Sequence, residues 1–372
     1  MSFPEYVMHE TFEYAFPAIR GVQAGRQYYV SMCPLGLLPK LFLFDEEELA
    51  PEHRAQRRLN RARVPEMSRY VVENLDAYAF SAITASIDGD VRFVASDPET
   101  HEAAGTLHVP MRARFVINDG QHRRAAIERA LEVHPELAEE TIAVVFYLDP
   151  GLERCQQLFA DLNRYAIRPT RSLSLLYDHR DDHGQLVKLV VMKSELFRDL
   201  VEMEKSSLSA RSRKLFTLSA LYSATDSLLH DLPDRDLEEW VELTMEFWEL
   251  VAGQLKEWQQ VRRRQMSAAE VRQDFIHSHG IVLQALGRAG NALLRSHPED
   301  WRPILKGLAG VDFGRANAGL WEGRAMIGGR VSKASNNITL TTNVVKKALG
   351  LELAPEERRV EEAFMRGDLR RQ

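Results

Sequence analysis

The chain has 372 residues, of which 45% are hydrophobic and 27% are charged, a composition typical of a globular protein with room for two domains. Its net charge of −6 and isoelectric point near 6.1 differ from the basic balance of most small nucleic-acid-binding domains. If this protein binds DNA, it must therefore use local basic patches, because its overall field is mildly repulsive to phosphate.

The first part of the chain alternates strand-like and helix-like segments. Runs rich in β-branched and aromatic residues predict strands at residues 28–31, 80–87, 91–94, 114–118 and 141–148. The pair Asp88-Gly89 predicts a hairpin turn between the second and third of these strands. The segment Gln121–Val133 predicts a helix.

Pro150-Gly151 marks a break, and helix-forming residues dominate from there to about residue 300. Residues 236–255 and 271–294 predict long amphipathic helices. A glycine-rich stretch at 307–329 is followed by a predicted strand at 337–341, a short helix ending at Gly350, and a charged segment that is either a surface helix or frayed. The chain is expected to be α+β, with an α+β domain at 1–150, a helical domain at 151–306, and a C-terminal strand and helix tail at 307–372 packing on the core.

The sequence Asp119-Gly120-Gln121-His122-Arg123 lies where a predicted strand runs into the predicted helix. Asp119 is expected to cap that helix by accepting hydrogen bonds from backbone N–H groups of the first turn. Gly120 permits a tight turn and the close approach of a ligand to the backbone.

Three cationic side chains, His122, Arg123 and Arg124, occupy the first turn of this predicted helix. The positive end of the helix dipole makes each cation unfavourable by about 0.3–1 kcal/mol. The arrangement becomes favourable if free N–H groups and both guanidinium groups converge on a bound anion, and phosphate suits the guanidinium fork. The alternative is that Asp119 neutralises the helix start and the arginines extend into solvent.

This five-residue motif is the signature that names the DGQHR-domain proteins, and longer stretches resemble the DndB family of bacterial DNA phosphorothioate-modification systems. The resemblance spans most of the chain. The stretches are FPAIRGVQAG at 16–25, RVPEMSRY at 63–70, FSAITAS at 80–86, FADLNRYA at 159–166 and LYDHRD at 176–181.

The motif is also similar to the phosphate-binding turns of ParB-type proteins and sulfiredoxin. This resemblance implies a ParB/sulfiredoxin-like mixed-sheet domain followed by a mainly helical domain. Gln121 replaces the Glu or Cys of those relatives, so sulfiredoxin's catalytic cysteine is absent, which argues against sulfinic-acid reduction. The phosphate- or nucleotide-binding residues that we expect are Asp119, Gly120, Gln121, His122, Arg123, Arg124 and Asn163.

Asn163 is included because related domains place an Asn at a helix end that faces the nucleotide cleft; the alternative is a helix C-cap. A nucleoside triphosphate (ATP, GTP or CTP) is the cofactor that such a cleft would hold. No catalytic residue is identified.

DndB-like proteins are regarded as repressors that bind the promoter region of the modification genes, while partner proteins carry out the sulfur chemistry. The resemblance therefore implies a DNA-binding negative regulator whose partner is double-stranded promoter DNA. The alternatives are an NTPase or DNA nickase built on the same cleft, and a non-enzymatic scaffold for the other phosphorothioation proteins. A homodimer is compatible with each.

Several basic clusters are candidate DNA contacts, although any one of them can be an ordinary solvated face. A further run of three arginines occupies residues 262–264. The candidate residues are Arg54, Arg58 and Arg61, which have helical spacing, then Lys205, Arg211, Arg213 and Lys214, and finally Arg324, Arg330 and Lys333.

The two cysteines, Cys33 and Cys155, form neither a disulfide framework nor a structural zinc site by themselves, and they favour a reducing compartment. No metal site is predicted, because the spacing of His277 and His279 is a weak signal that packing also explains. No run reaches the roughly 18–20 apolar residues that span a bilayer, and the start of the chain does not resemble a secretory signal. A cytoplasmic protein that does not bind membranes is expected.

Overall fold

A computed structural model describes residues 12–42, 59–99, 101–148, 152–164 and 169–368. The chain forms two compact units, Met1–Ile167 and Arg168–Gln372. The first is built on a mixed β-sheet and the second is mainly helical, so the predicted α+β class is confirmed. No helix in the described ranges is long and apolar enough to cross a membrane.

The first unit contains a seven-stranded sheet in the order β4-β5-β1-β2-β7-β3-β6. Only β3 and β7 pair in parallel among these strands as described; the other neighbours are antiparallel. The strands are β1 (Glu13–Gln23), β2 (Arg26–Pro34), β3 (Ile83–Asp88), β4 (Arg92–Asp97), β5 (His101–Pro110), β6 (Arg114–Asp119) and β7 (Thr141–Leu148). The helices are α1 (Leu38–Leu41), α2 (Val64–Val72), α3 (Gln121–Val133) and α4 (Leu152–Arg164), with 3-10 turns at Leu35–Leu37, Arg61–Arg63 and Pro135–Glu139.

Alternating burial shows why these segments form strands. In β7, Ile142, Val144 and Phe146 are buried, and they are separated by residues that are less buried. Side chains along a strand point to opposite faces in turn, so this pattern directs one face of β7 to the core. The predictions of α3 and β7 are confirmed at their bounds, and β2 and β6 contain the predicted strands at 28–31 and 114–118.

The predicted hairpin at Asp88-Gly89 is wrong. Strand β3 does not pair with β4; it lies between β6 and β7, while β4 pairs with β5. The burial of the two strands explains the difference: Ile83, Ala85 and Ile87 are almost fully buried, whereas β4 alternates between exposed and half-buried residues. A strand covered on both faces is stabilised by an internal position, and burial overrides the local turn signal.

The second unit is a helical assembly whose core contains four fully buried tryptophans, Trp248, Trp258, Trp301 and Trp321. Helix α11 packs against both α7 and α14. The helices are α5 (Arg171–Tyr177), α6 (Asp182–Lys193), α7 (Leu218–Leu229), α8 (Leu237–Gln254), α9 (Lys256–Arg262), α10 (Ala268–Asp274), α11 (Gly280–Ser296), α12 (Trp301–Ile304), α13 (Ala318–Trp321), α14 (Ser335–Ala348) and α15 (Pro355–Arg366), with a 3-10 turn at Leu305–Gly310. Two short ribbons are formed by β8 (Val201–Glu202) with β9 (Phe216–Thr217) and by β10 (Met326–Ile327) with β11 (Arg330–Val331).

Two predictions in this unit are wrong in detail. The helix predicted at 271–294 is interrupted, because Phe275 is extended and forms a bridge with Gly314 between α10 and α11. The strand predicted at 337–341 is part of α14. There the threonine hydroxyls bond back to the preceding turn, with Thr341 Oγ1 donating to the Asn337 carbonyl at 2.7 Å. Burial of Leu340 and Val345 then outweighs the strand preference of the β-branched residues.

Candidate functional site

The DGQHR segment forms the turn between β6 and α3. Gly120 is the residue before the helix, and its φ of 113° and ψ of 11° lie in a region that residues with a side chain rarely adopt. A Cβ atom at this position would lie 3.0 Å from Ile83 Cγ1 and 3.1 Å from Arg123 Nη2. The backbone conformation therefore favours glycine, and a side chain here would also have to displace Ile83 and Arg123 by a few tenths of an ångström.

Asp119 does not cap α3, which corrects the expectation from the sequence. Its backbone still belongs to β6 and pairs with Thr84, while Gly120 occupies the cap position and offers no side chain. The Asp119 carboxylate instead accepts a hydrogen bond of 2.8 Å from Arg123 Nη2. Asp119 lies one residue before the cap position. Its carboxylate therefore contacts the side chain of Arg123, four residues later, and not the N–H groups of the first turn.

Arg123 links the end of β6, at Asp119, to the start of β3. Its Nη2 atom also donates to the Ala82 carbonyl at 3.0 Å, just before β3 begins. Its Nε atom is buried and has no hydrogen-bond partner among the described residues. The side chain is only 17% exposed, so most of the guanidinium faces protein.

Arg124 is directed to a different place. It is buried, pairs through Nη1 with Glu128 and donates through Nη2 to the Pro39 carbonyl at 3.1 Å. Burial lowers the pKa of Arg124, and Glu128 opposes that shift. Consecutive helix positions do not share a face, so the two guanidinium groups do not converge on one spot as expected.

The other predicted residues of this site are also engaged or lie outside it. His122 Nε2 accepts a hydrogen bond of 3.0 Å from the backbone N–H of Asn60. Gln121 is buried and donates to the Ile117 carbonyl at 3.3 Å. Asn163 is next to last in α4, and its side chain lies outside the described residues. The structure thus brings together Asp119, Gly120 and Arg123, and phosphate binding there stays a prediction.

A second candidate region lies in the helical unit, where two basic segments that are distant in sequence meet. A cavity of about 760 Å³ is lined by four exposed arginines, Arg211, Arg213, Arg262 and Arg264. We call it the arginine groove. Arg262 pairs with Glu195, but the other three have no ion pair within the described ranges. Three acidic residues also line the groove, namely Glu195, Asp199 and Glu270.

The loop that carries Arg211 and Arg213 is held by Arg272 of α10. Its guanidinium donates to the carbonyls of Ser209, Ala210 and Ser212 at 3.0, 3.2 and 3.0 Å, and also to that of Lys214. Sequence reasoning missed Arg272, because nothing in its neighbours shows that it bonds to a loop about 60 residues earlier.

The remaining predicted DNA contacts are scattered. Lys205 and Arg330 are exposed, and Lys214 Nζ donates to the Asp199 carbonyl at 2.9 Å. Arg324 is a correction: it is 8% exposed and makes two hydrogen bonds of 2.8 Å to Glu361, so it is not a free surface cation.

Lys333 lines a different cavity, described below. Arg61 is exposed at the start of a 3-10 turn, whereas Arg54 and Arg58 lie outside the described residues, so their predicted shared face is undescribed.

His277 is a packing residue of the helical core. Trp258 Nε1 donates to its Nδ1 at 2.9 Å, so the ring proton lies on Nε2, which is 3.3 Å from a Glu257 carboxylate oxygen. Burial lowers the pKa of His277 and the carboxylate opposes the shift. No group of three or more potential metal ligands occurs among the described residues. In the first unit Cys33 is fully buried, and burial raises the pKa of its thiol to about 11.

One of the comparisons with known proteins identifies a family. Neither the curated proteins nor the solved structures gave a match. A family model described as DndB, DNA-sulfur modification-associated, matches residues 16–352. The matched range contains the DGQHR turn, the arginine groove and both hydrophobic cores, and it covers most of the sequence. The chain therefore belongs to the DndB family, whose members are associated with DNA sulfur modification.

Proposed function

We propose that this protein is a DNA-binding negative regulator of a DNA phosphorothioate-modification gene cluster. Family membership supports the association with DNA sulfur modification, and the resemblance of the sequence to DndB regulators motivates the repressor role. The observation that carries the DNA-binding part is the arginine groove, where four exposed arginines from two segments meet on one surface.

The charge distribution of the groove suits a phosphate backbone. Arg211, Arg213 and Arg264 have no carboxylate partner within the described part of the chain, so a phosphate does not have to displace one. Guanidinium groups bind phosphate oxygens in a bidentate manner. A local patch of this kind allows a protein with a net charge of −6 to bind DNA.

The groove is also held in shape before DNA arrives. Arg272 fixes the backbone on both sides of Arg211 and Arg213 through four carbonyl groups. Arg264 has a left-handed backbone, with φ of 59°, in the turn that follows α9. Positions fixed in advance lose less conformational entropy on binding, which favours affinity.

Nucleotide binding at the DGQHR turn is a separate part of the proposal. The first-turn N–H groups of α3 have no intrahelical partners, and Arg123 Nε is buried without a partner among the described residues. An incoming phosphate would compete with Asp119 for Arg123. We therefore expect a nucleotide to bind there only if that ion pair opens.

The direct test is fluorescence anisotropy of the protein on a duplex from its own operon promoter and on a random duplex of equal length, between about 50 and 200 mM salt. We expect tighter binding of the promoter, and we expect R211A/R213A to reduce the slope of log K against log salt by about 1.8, because each lost phosphate contact removes about 0.9. R295A/R359A removes two exposed arginines elsewhere in the same unit and serves as the matched control.

Two results would count against the proposal. Equal affinity for the two duplexes throughout the salt range would reject specific repression. An unchanged slope in R211A/R213A, with the control also unchanged, would reject the arginine groove as the DNA-binding surface while leaving repression open.

A further inference from the structure

A second cavity in the helical unit, of about 520 Å³, lies at the start of α11. Its volume is within the range of small-molecule binding sites. Its lining residues include Ser206, Ser207 and Thr217, together with two cationic residues, Arg272 and Lys333. None of its described lining residues is acidic. The cavity therefore has a polar and positively charged lining without a neutralising carboxylate.

The start of α11 contributes to this positive character. The helix has 17 residues, and no side chain caps its first turn. The ring of the preceding residue, His279, is directed away, with Nε2 at 3.1 Å from the Arg272 carbonyl and 2.9 Å from Arg315 Nη2. The N–H groups of Val282 and Leu283 donate to the His279 carbonyl at 2.9 and 3.1 Å, which leaves those of Gly280 and Ile281 as the first-turn donors available to a ligand. The positive end of the helix dipole also lies there.

Lys333 adds a charge where the dipole makes it unfavourable. A Cβ atom on Gly280, the first residue of α11, would lie 2.6 Å from Lys333 Nζ, so this amino group sits against the helix start. Lys333 has no ion pair within the described ranges. Partial burial and the nearby charge of Arg171 lower the pKa of Lys333. This arrangement is electrostatically unfavourable unless an anion is bound.

Ser278 supplies an independent sign of a missing partner. It is 5% exposed and lines the cavity, and its Oγ has no hydrogen-bond partner among the described residues. Buried hydroxyl groups are nearly always hydrogen-bonded, because an unpaired one loses its bonds to water without replacement. An anion at the start of α11 would accept a hydrogen bond from this hydroxyl.

We propose that this cavity binds a phosphate group, either free phosphate or the phosphate of a small phosphomonoester. The N–H groups of Gly280 and Ile281 at the start of α11, together with Lys333 Nζ and Ser278 Oγ, hold the phosphate. The remaining volume, beside Leu208 and Ala220, accommodates a small organic group. The site is separate from DNA binding by the arginine groove, and its test does not use those four arginines.

The test is isothermal titration calorimetry of the full chain with inorganic phosphate, ribose 5-phosphate and, as a control without phosphate, ribose. We expect saturable binding of the phosphate-bearing probes only, weakened about tenfold or more by S278A and by K333Q. K306Q removes an exposed lysine elsewhere in the unit and should leave binding unchanged. Tighter binding of ribose 5-phosphate than of phosphate identifies a phosphomonoester; equal affinity identifies free phosphate.

Thermal unfolding in phosphate-free buffer separates a binding role from a structural one. S278A should unfold at the same or a higher temperature than the wild type, because it removes a buried hydroxyl without a partner. If S278A does not fold, K333Q carries the test, because Lys333 makes no hydrogen bond or ion pair within the described ranges that the substitution would remove. The proposal is overturned if neither phosphate probe binds or if both variants bind like the wild type. It is also overturned if the variants weaken binding of a short DNA duplex and not of the small probes.

Discussion

A buried cluster around Glu361 allows the stability of the helical unit to be tested quantitatively. Its carboxylate accepts two hydrogen bonds of 2.8 Å from Arg324, one of 2.6 Å from Lys347 and one of 3.0 Å from Asn343. Burial alone would raise the pKa of Glu361, but these hydrogen bonds outweigh it and lower the pKa to about 2. The carboxylate therefore stabilises the fold in its charged form.

The size of this effect follows from the shift. Lowering the pKa from 4.5 to about 2 corresponds to roughly 3 kcal/mol of stability at neutral pH. Because the folded pKa lies below the unfolded one, the stabilisation is fully present above about pH 4.5 and is lost as the pH falls towards 2.

The substitution E361Q keeps the shape of the side chain and leaves Arg324 buried without its charge partner. We expect it to lower the free energy of unfolding by about 3–5 kcal/mol at pH 7, measured by urea unfolding. At pH 3 the gap from the wild type should narrow to roughly half, because the wild-type carboxylate has lost much of its advantage. The reasoning fails if the gap is under about 1 kcal/mol at pH 7 or does not change with pH.

A control variant distinguishes burial from charge pairing as such. Glu246 forms a two-point ion pair with Arg302 at 2.6 and 2.7 Å, but both side chains are well exposed. Exposed pairs contribute about 0–1 kcal/mol, so E246Q should cost far less than E361Q.

Three further substitutions test the two candidate regions. R272M should lower the affinity for DNA about tenfold, although Arg272 itself is not proposed to contact DNA, because the substitution releases the loop that carries Arg211 and Arg213. Unchanged affinity in anisotropy titrations would show that the loop needs no such support. G120A should lower the free energy of unfolding by about 1–3 kcal/mol, because of its φ of 113°, and a wild-type value in urea unfolding would contradict the strain argument. R123A should destabilise the first unit by about 1–3 kcal/mol, since it leaves Asp119 and the Ala82 carbonyl without their donor. If R123A also binds ATP like the wild type in calorimetry, the DGQHR turn is not a nucleotide site.

The sequence predicts correctly the elements in which buried residues recur at regular spacing, every second residue in a strand or along one face of a helix. In β7 the alternation at Ile142, Val144 and Phe146 is the whole signal, and both ends of the strand were predicted. Helix α3 was predicted for a similar reason, because Ala126, Ile127 and Ala130 lie on one helical face that is buried.

Elements that depend on distant partners were not predictable in this way. The parallel pairing of β3 with β7 joins segments about 60 residues apart. The turn signal at Asp88-Gly89 reflects neighbouring residues alone, and it therefore predicts the wrong partner for β3. The threonine-rich run at 337–341 predicts a strand, but it belongs to α14. The helix is favoured by burial against the core, which the residues of the run do not show by themselves. The arginine groove has the same origin, since it requires the fold to bring Arg211 and Arg264 together.

The DGQHR turn and the arginine groove differ in whether their arginines already have carboxylate partners. Arg123 and Arg124 each have a carboxylate within one helical turn, Asp119 and Glu128, so their charges already stabilise the first unit. A phosphate that binds these arginines must first offset the loss of an existing ion pair. In both pairs the guanidinium group is largely shielded from water, so leaving it unpaired is costly. In the groove, Arg211 has no such partner among the described residues, and phosphate adds an interaction without removing one. The motif that is most conspicuous in the sequence is therefore the weaker candidate for binding the DNA backbone, and its arginines act first as ties within the fold.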